Sequence, residues 1–420
     1  MHRIIIEGGN ELTGDIRISG SKNSAVALVP AAVLCDEEAI IANVPNISDI
    51  DALDEILKHL GATVRRENDV IRIDSSKIEN KLIPENISKK LRASYYFMGA
   101  LLSKFKKVEI YFPGGCSIGA RPINLHLKGF KAMGADIKED GNLFTITADN
   151  LHGAKINLDF ASVGATINLM LAAVKADGTT IISNAAKEPH IVNVATFLNN
   201  MGAKITGAGT SEIKIVGVNY LHSCFHEVVP DYIEAGTYMI LASAIGRDVT
   251  IYNIIPEHVE SVISKLEEMG SIMKIGLDYI KISAPEKLKH VNIKTQVYPG
   301  FPTDLQQPMA TLLTKAQGKS IINETIWENR FLNLEELNKM GASCDVITKS
   351  KAVILGPTKL TGKRVKATDL RAGASLVIAG LMADGKTTID NADYILRGYE
   401  DIVDKLRSIG ANIKLEKIDW

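Results

Sequence analysis

The chain has 420 residues, 46% hydrophobic and 23% charged, with a formal net charge of −1. That length exceeds what one hydrophobic core usually supports, so two domains are expected. The near-neutral charge speaks against nucleic acid or a membrane surface as the main partner, and any local basic cluster then points to a small anionic substrate. Four scattered cysteines (Cys35, Cys116, Cys224, Cys344) form no CxxC or CxxH pattern, which argues against a disulfide framework and a zinc site. The N-terminus has no signal-peptide core, and the longest apolar run, SAVALVPAAVLC, is too short to span a bilayer. A cytoplasmic location is expected.

In chain order, RIIIEGGNELTGDIRI reads as a strand, a turn and a strand. GSKNS then opens a helix that is apolar nearly all round, SAVALVPAAVLC, and such a helix packs inside a core. A short strand follows, then the amphipathic DIDALDEILKHLGA, then two more strands. This order recurs: VGATINLMLAAV, AGTYMILASAIG and AGASLVIAGLMA are further all-apolar helices, and HVESVISKLEEMGS and GYEDIVDKLRSIGA further amphipathic ones. The amphipathic helices end on a marker glycine at Gly61, Gly134, Gly202, Gly270, Gly341 and Gly410, spaced 68 to 73 residues apart, where a helix C-cap is expected. Six copies of one repeat are present. The sixth stops early, at ANIKLEKIDW, and the N-terminal strand pair matches the missing AVILGPTKLTGKRVKA pattern. The expected α/β architecture is two domains, 22–229 and 1–21 with 230–420, each of three repeats with helices inside and sheets outside.

The buried helices begin at GSKNS, LRAS, ASVGAT, PDYIEAGT, FPTDLQQ and LRAGAS. Unpaired N–H groups and the helix dipole favour anions at such ends, and Lys22, Arg92 and Arg371 reinforce three of them. The loops after the strands add Arg121, Lys187, Arg330 and Arg397. If both domains turn these ends toward one another, the result is a cleft that traps phosphates. Cys116 lies in FPGGCSIGARP, a glycine-rich insertion with the composition of a lid, five residues before Arg121. It reads equally as an inert surface thiol and as a tuned, reactive one. Lys22 lacks the spacing of a P-loop, yet its place before a helix start favours phosphate binding over a solvated role. Asp304 reads as a helix cap or as a general base among cations. Arg397 alone reads as a helix-face ion pair, and His126 stands ambiguously in the start of an amphipathic helix.

Taken together, GSKNSA, LRAS, PGGCSIGARPINLHLKGF, SVGAT, FPTDLQ, ENRF, TDLRA and RGYE resemble the UDP-N-acetylglucosamine 1-carboxyvinyltransferase family over essentially the whole chain. The GGCxIGARP loop is highly specific, whereas GSK is shared with the shikimate-pathway enolpyruvyl transferases. The resemblance implies an inside-out α/β barrel in each domain. It implies transfer of enolpyruvyl from phosphoenolpyruvate to the 3-hydroxyl of UDP-N-acetylglucosamine with release of phosphate, as the first committed step of peptidoglycan synthesis. By resemblance, Lys22, Arg121 and Arg397 hold the phosphoenolpyruvate phosphate and carboxylate. Asn23, Asp304 and Ile326 contact the sugar. Arg92, the run Arg121, Pro122, Ile123, Asn124 and Leu125, and the helix start Ser162, Val163 and Gly164 hold the nucleotide. Cys116 is the general acid, able to form a covalent phosphoenolpyruvate adduct and to be alkylated by fosfomycin. No metal or organic cofactor, nucleic acid or membrane partner is implied. Two departures stand out: Phe160 replaces a frequent lysine near the nucleotide phosphates, and Tyr96 replaces a familiar tryptophan. The rivals are a shikimate-pathway transferase, which lacks the cysteine lid, and a non-catalytic homologue that binds UDP-sugars.

Overall fold

The computed structural model describes residues 1–89, 91–111 and 123–418, so Cys116, Arg121 and Pro122 lie outside the described residues. The chain divides into two compact units: Met1–Ser19 belongs with Pro230–Trp420, and the other unit lies within residues 20–229. Each unit holds three buried helices. In one they are Lys22–Ala31, Tyr96–Phe105 and Val163–Ala173; in the other Tyr232–Ile245, Gln306–Leu313 and Leu370–Met382. Their residues are buried almost without interruption; most are apolar all round, and the glutamines that open Gln306–Leu313 are buried as well. In the discontinuous unit the three pack on one another; in the 20–229 unit Tyr96–Phe105 packs against both of its companions. The approach is closest at Gly99, where an added Cβ would lie 2.2 Å from the carbonyl oxygen of Asn168.

Amphipathic helices such as Ser48–Leu60 and Glu260–Met269 lie over this interior and bury one face. All six marker glycines adopt φ between 92° and 102°, a left-handed conformation that costs other residues strain and so stops each helix.

The strands form six separate sheets, three per unit. The strand after each buried helix is central: Glu38–Ala42, Lys107–Tyr111, Thr179–Ser183, Gly246–Tyr252, Gly318–Asn323 and Lys386–Asp390. On one side it pairs antiparallel with two further strands, a hairpin in the first five repeats, and on the other it takes a short parallel strand, or in the second repeat a single Ile83–Ile110 bridge. In three repeats the parallel strand comes from the stretch of chain just before the buried helix. Lys155–Asn157, Ile293–Lys294 and Arg364–Lys366 each lead through a buried helix back to their own sheet.

The sequence pattern assigns both N-terminal strands to the sixth repeat, and here the structure differs. His2–Glu7 does lie between Lys386–Asp390 and Asn412–Lys417, pairing antiparallel with both. Leu12–Arg17 instead forms the parallel edge of the fourth repeat, against Gly246–Tyr252. The reason is occupancy: the parallel edge of the sixth sheet is already taken by Arg364–Lys366. In the same way Cys224–Glu227 returns to pair with Glu38–Ala42 of the first repeat.

Candidate active site

In the 20–229 unit, Ser21 caps the helix that Lys22 begins, its hydroxyl accepting from Ser24 N at 3.3 Å. Lys22 Nζ lies 2.9 Å from Asp49 Oδ2 on the first turn of Ser48–Leu60, and the Asp49 side chain is only 3% exposed. Asn23 follows, half-buried. Arg92 opens the short turn Arg92–Tyr95. Ile123 and Leu125 are buried, and Asn124, exposed, begins the helix Asn124–Ala132. Ser162 caps Val163–Ala173 and accepts from Ala165 N.

Two residues bring these helix starts together. The Tyr95 and His126 rings meet edge to face at 5.3 Å, and a Cβ at Gly164 would lie 2.9 Å from Tyr95 Oη. Asn168 fixes both. Its Oδ1 accepts from Gly99 N at 2.8 Å, so its Nδ2 must donate to the Tyr95 carbonyl at 2.8 Å and to His126 Nδ1 at 3.0 Å. The neutral imidazole therefore carries its proton on Nε2, on the side facing Gly164. Phe160 is 57% exposed.

In the discontinuous unit, Asp304 sits on the single turn Thr303–Leu305 that leads into Gln306–Leu313. Arg330 Nη2 donates to its Oδ1 at 2.8 Å and Arg371 Nη2 to its Oδ2 at 3.2 Å. Both arginine side chains are nearly sealed from water, while the carboxylate remains 26% exposed. Arg330, read from sequence as a loop cation, is thus a buried strut. Arg371 lies over the Tyr399 ring at 5.3 Å. Burial opposes its charge, but Tyr399 and Asp304 outweigh burial and hold the guanidinium charged above the ordinary arginine range. Thr237 Oγ1 spends its proton on the Ile233 carbonyl, so the Tyr399 hydroxyl donates to Thr237 at 2.8 Å. Among the described residues, Arg330 Nε and Arg371 Nη1 are buried with no acceptor. Such donors suit an anion.

Ile326 is tied to the same turn. Its N–H donates to Glu324 Oε1 at 2.8 Å, and Thr303 donates to Glu324 Oε2 at 2.9 Å. Arg397 stands half-buried at the end of the short helix Asp393–Leu396, two residues before Tyr399. Among the described residues no cluster of side chains could hold a metal, and no helix is long and apolar enough to cross a membrane.

The family model of EPSP synthase (3-phosphoshikimate 1-carboxyvinyltransferase) matches residues 6–406. The chain belongs to this family of enolpyruvyl transferases. Within it, the chain is 53% identical over 98% of its length to UDP-N-acetylglucosamine 1-carboxyvinyltransferase 2 of Listeria monocytogenes serovar 1/2a, covering 97% of that protein. It is 53% identical over its full length to the protein of the same name from Bacillus cereus, again covering 97%. Among solved structures, the enolpyruvyl transferase NikO from Streptomyces tendae superposes with a TM-score of 0.90 at 26% identity, covering 99% of this chain and 98% of that one. EPSP synthase from Acinetobacter baumannii superposes at 0.76 with 19% identity, over 99% of this chain and 100% of that one, a likeness of fold.

Sequence reading missed Asn168 and Glu324, and picked out Arg330 and Arg371 as cations without placing them on Asp304. Asn168 sits in an all-apolar helix, where a lone amide is itself a signal of a buried polar partner. Tyr399 lies inside RGYE but looks like ordinary core.

Proposed function

We propose that this enolpyruvyl transferase moves the enolpyruvyl group of phosphoenolpyruvate to the 3-hydroxyl of UDP-N-acetylglucosamine, releasing phosphate, in peptidoglycan synthesis and thus in cell shape and division. The observation that carries this reading is the near-full-length identity to proteins named for that reaction. Asp304, held by two arginines in the discontinuous unit, supports it. On this reading each unit is an inside-out α/β barrel and the protein works in the cytoplasm.

The chemistry assigns the residues. The 3-hydroxyl oxygen bonds to C2 of phosphoenolpyruvate while a proton goes to its methylene carbon, giving a tetrahedral adduct. Asp304 takes the hydroxyl proton and Cys116 supplies the proton to carbon. Loss of phosphate from C2 and of a proton from the methyl group restores the double bond. Lys22, Arg121 and Arg397 neutralise the phosphate and carboxylate. Asn23 and Ile326 contact the sugar. Arg92, residues 121–125 and the Ser162, Val163 and Gly164 helix start hold the nucleotide, and Phe160 gives that end one cation fewer. Lys22 meets its substrate already paired with Asp49, so its position is set before binding.

Phosphate release is the direct test. It should require both substrates, and omission of either should abolish it. Release with shikimate 3-phosphate in place of the sugar nucleotide would favour the rival branch; no release with either would leave only a binding protein. Cys116 should be the thiol alkylated fastest by the epoxide-bearing phosphonate fosfomycin, faster still with UDP-N-acetylglucosamine present. Cys35 and Cys344 are buried, and burial pushes the Cys224 and Cys344 thiols up to about 11 and about 12, so none of these competes as a thiolate. An adduct on any of them, found by mass spectrometry, removes Cys116 from its role.

A further inference from the structure

Four repeats share a small device and the fifth departs from it; in the second the corresponding residue, Phe112, lies outside the described residues. In four repeats the residue just after the central strand is an asparagine with left-handed backbone: Asn43, Asn184, Asn253 and Asn391, all with φ of 56–59°. Each donates its Nδ2 to the carbonyl just beyond the parallel strand of its own sheet. The acceptors are Val228, Leu158, Ile18 and Ala367, at 2.8, 2.9, 2.7 and 3.4 Å. The backbone register confirms the equivalence, since each acceptor residue donates its own N–H to the last residue of the central strand, as Thr295 does to Asn323.

The fifth repeat puts Glu324 at this place, without the left-handed backbone. The clamp is still made there, by the next residue: Thr325 Oγ1 donates to the Thr295 carbonyl at 2.6 Å. Glu324 is therefore released from the structural task its counterparts perform. Its carboxylate, 2% exposed, turns to four other donors. Oε1 accepts from Thr295 Oγ1 at 2.8 Å and from the N–H groups of Ile326 and Trp327 at 2.8 and 3.1 Å. Oε2 accepts from Thr303 Oγ1 at 2.9 Å. Thr303 in turn accepts from Arg330 Nη1 at 2.8 Å, and Arg330 Nη2 holds Asp304.

We propose that Glu324 is a positioning residue that locks the Asp304 turn and the Ile326 loop into one geometry. A repeat that gives up the asparagine of its four counterparts at the place where two proposed sugar-contacting residues sit has traded regularity for a site. Glu324 touches no substrate in this role; it acts through Thr303 and Arg330 on the carboxylate, and through the backbone on Ile326. The inference rests on the proposed function, in which Asp304 takes the hydroxyl proton.

Glutamine at 324 preserves shape and reverses one atom from acceptor to donor. With its amide NH2 toward Thr303, the threonine already accepts from Arg330 and loses the acceptor for its own proton. With the NH2 toward Ile326 and Trp327, donor faces donor. Either orientation breaks the relay. Asparagine restores the residue that four other repeats fold around, but is too short to hold both ends.

The test compares Glu324→Gln and Glu324→Asn with the parent enzyme, alone and combined with Asp304→Asn, by phosphate release and thermal melting. Both Glu324 variants should melt cooperatively and lose roughly tenfold or more in kcat. KM for UDP-N-acetylglucosamine should rise through the Ile326 loop. In the Asp304→Asn background the kcat loss should shrink to about twofold or less while the KM effect persists, because residues acting as one unit are not additive. If Asp304→Asn turns over like the parent, it is the role of Asp304 that fails. If Asp304→Asn is impaired but the Glu324 variants keep parental kcat, or lose the same factor in both backgrounds, the positioning role is overturned. Should the Glu324 variants not fold, Thr303→Val decides. It removes the relay hydroxyl and leaves Glu324 its three other donors; a tenfold loss supports the role and parental kcat ends it.

Discussion

The carboxylate of Asp304 has an arginine on each oxygen, and each arginine has its own support. Arg371 rests on Tyr399, which is anchored on Thr237 of a buried helix. A guanidinium suits this place because its flat fork can reach Asp304 while stacking on a ring, which an ammonium cannot do. Arg371→Lys should therefore lower kcat by about tenfold or more although the charge is kept; a lysine variant with parental kcat would show that charge alone suffices there. Another buried side chain governs acid stability. His226 is buried, accepts from Asn193 at Nε2, and is lowered by desolvation to about 4 from its ordinary 6.5. Between those values the unfolded chain binds a proton that the folded chain refuses. His226 thus contributes stability fully present above pH 6.5 and lost as pH falls toward 4. The melting temperature should decline over that window, and His226→Gln should decline less; an equal slope in both would assign the loss to other groups. Lys22 and Asp304 stood out as candidates because a charged side chain beside a helix start is conspicuous in apolar sequence. Asn168 and Glu324 were not, because their roles come from partners about 70 and about 20 to 30 positions away.

At the scale of elements, the two ends of the buried helices are treated differently. Lys104 Nζ donates to the carbonyls of Val33 and Cys35 at 2.8 and 3.1 Å, and Lys315 to that of Ala244, so cations close C-terminal ends in both units. Burial lowers both lysines, yet each stays where the helix dipole favours a positive charge. The N-terminal ends are capped by Ser21, Ser162, Asp231 and Asp369. The asparagine clamps then fix the distance between central and parallel strands. Asn184→Ala removes a 2.9 Å hydrogen bond and forces a β-carbon residue without local polar compensation into left-handed backbone. It should cost about 1–3 kcal/mol, read by denaturant unfolding. A variant as stable as the parent would make the clamp incidental. The helices and hairpins were readable because each carries its own period and its own glycine stop. The parallel strands were not: Ile293–Lys294 is two residues long, and a pair of residues has no period. That is why both N-terminal strands looked like one closing pair when they serve two sheets.

For the molecule as a whole, strand exchange decides which pieces can fold alone. Three of the six sheets draw every strand from residues 38–227, because Cys224–Glu227 closes back on the first repeat. Of the other three, two are incomplete without the N-terminus: His2–Glu7 is an inner strand of one and Leu12–Arg17 the edge of another, while the third draws its strands from residues 293–356. Their core also includes Ile4, Ile6, Leu12, Ile16 and Ile18, all essentially sealed from water. Burying each such side chain contributes roughly 1.5–3 kcal/mol, so losing five removes about as much as the whole net stability of a domain. A fragment of residues 20–229 should then give a cooperative thermal transition by circular dichroism. Residues 230–420 alone should not, since Lys386–Asp390 and Asn412–Lys417 lose the strand between them and expose unpaired edges. Joining residues 1–19 to the C-terminus of that second fragment through a flexible linker should restore its transition. A cooperative melt from 230–420 without the added strands would show that the sheets close some other way, and failure of the rejoined fragment would show that this unit needs more than its own strands.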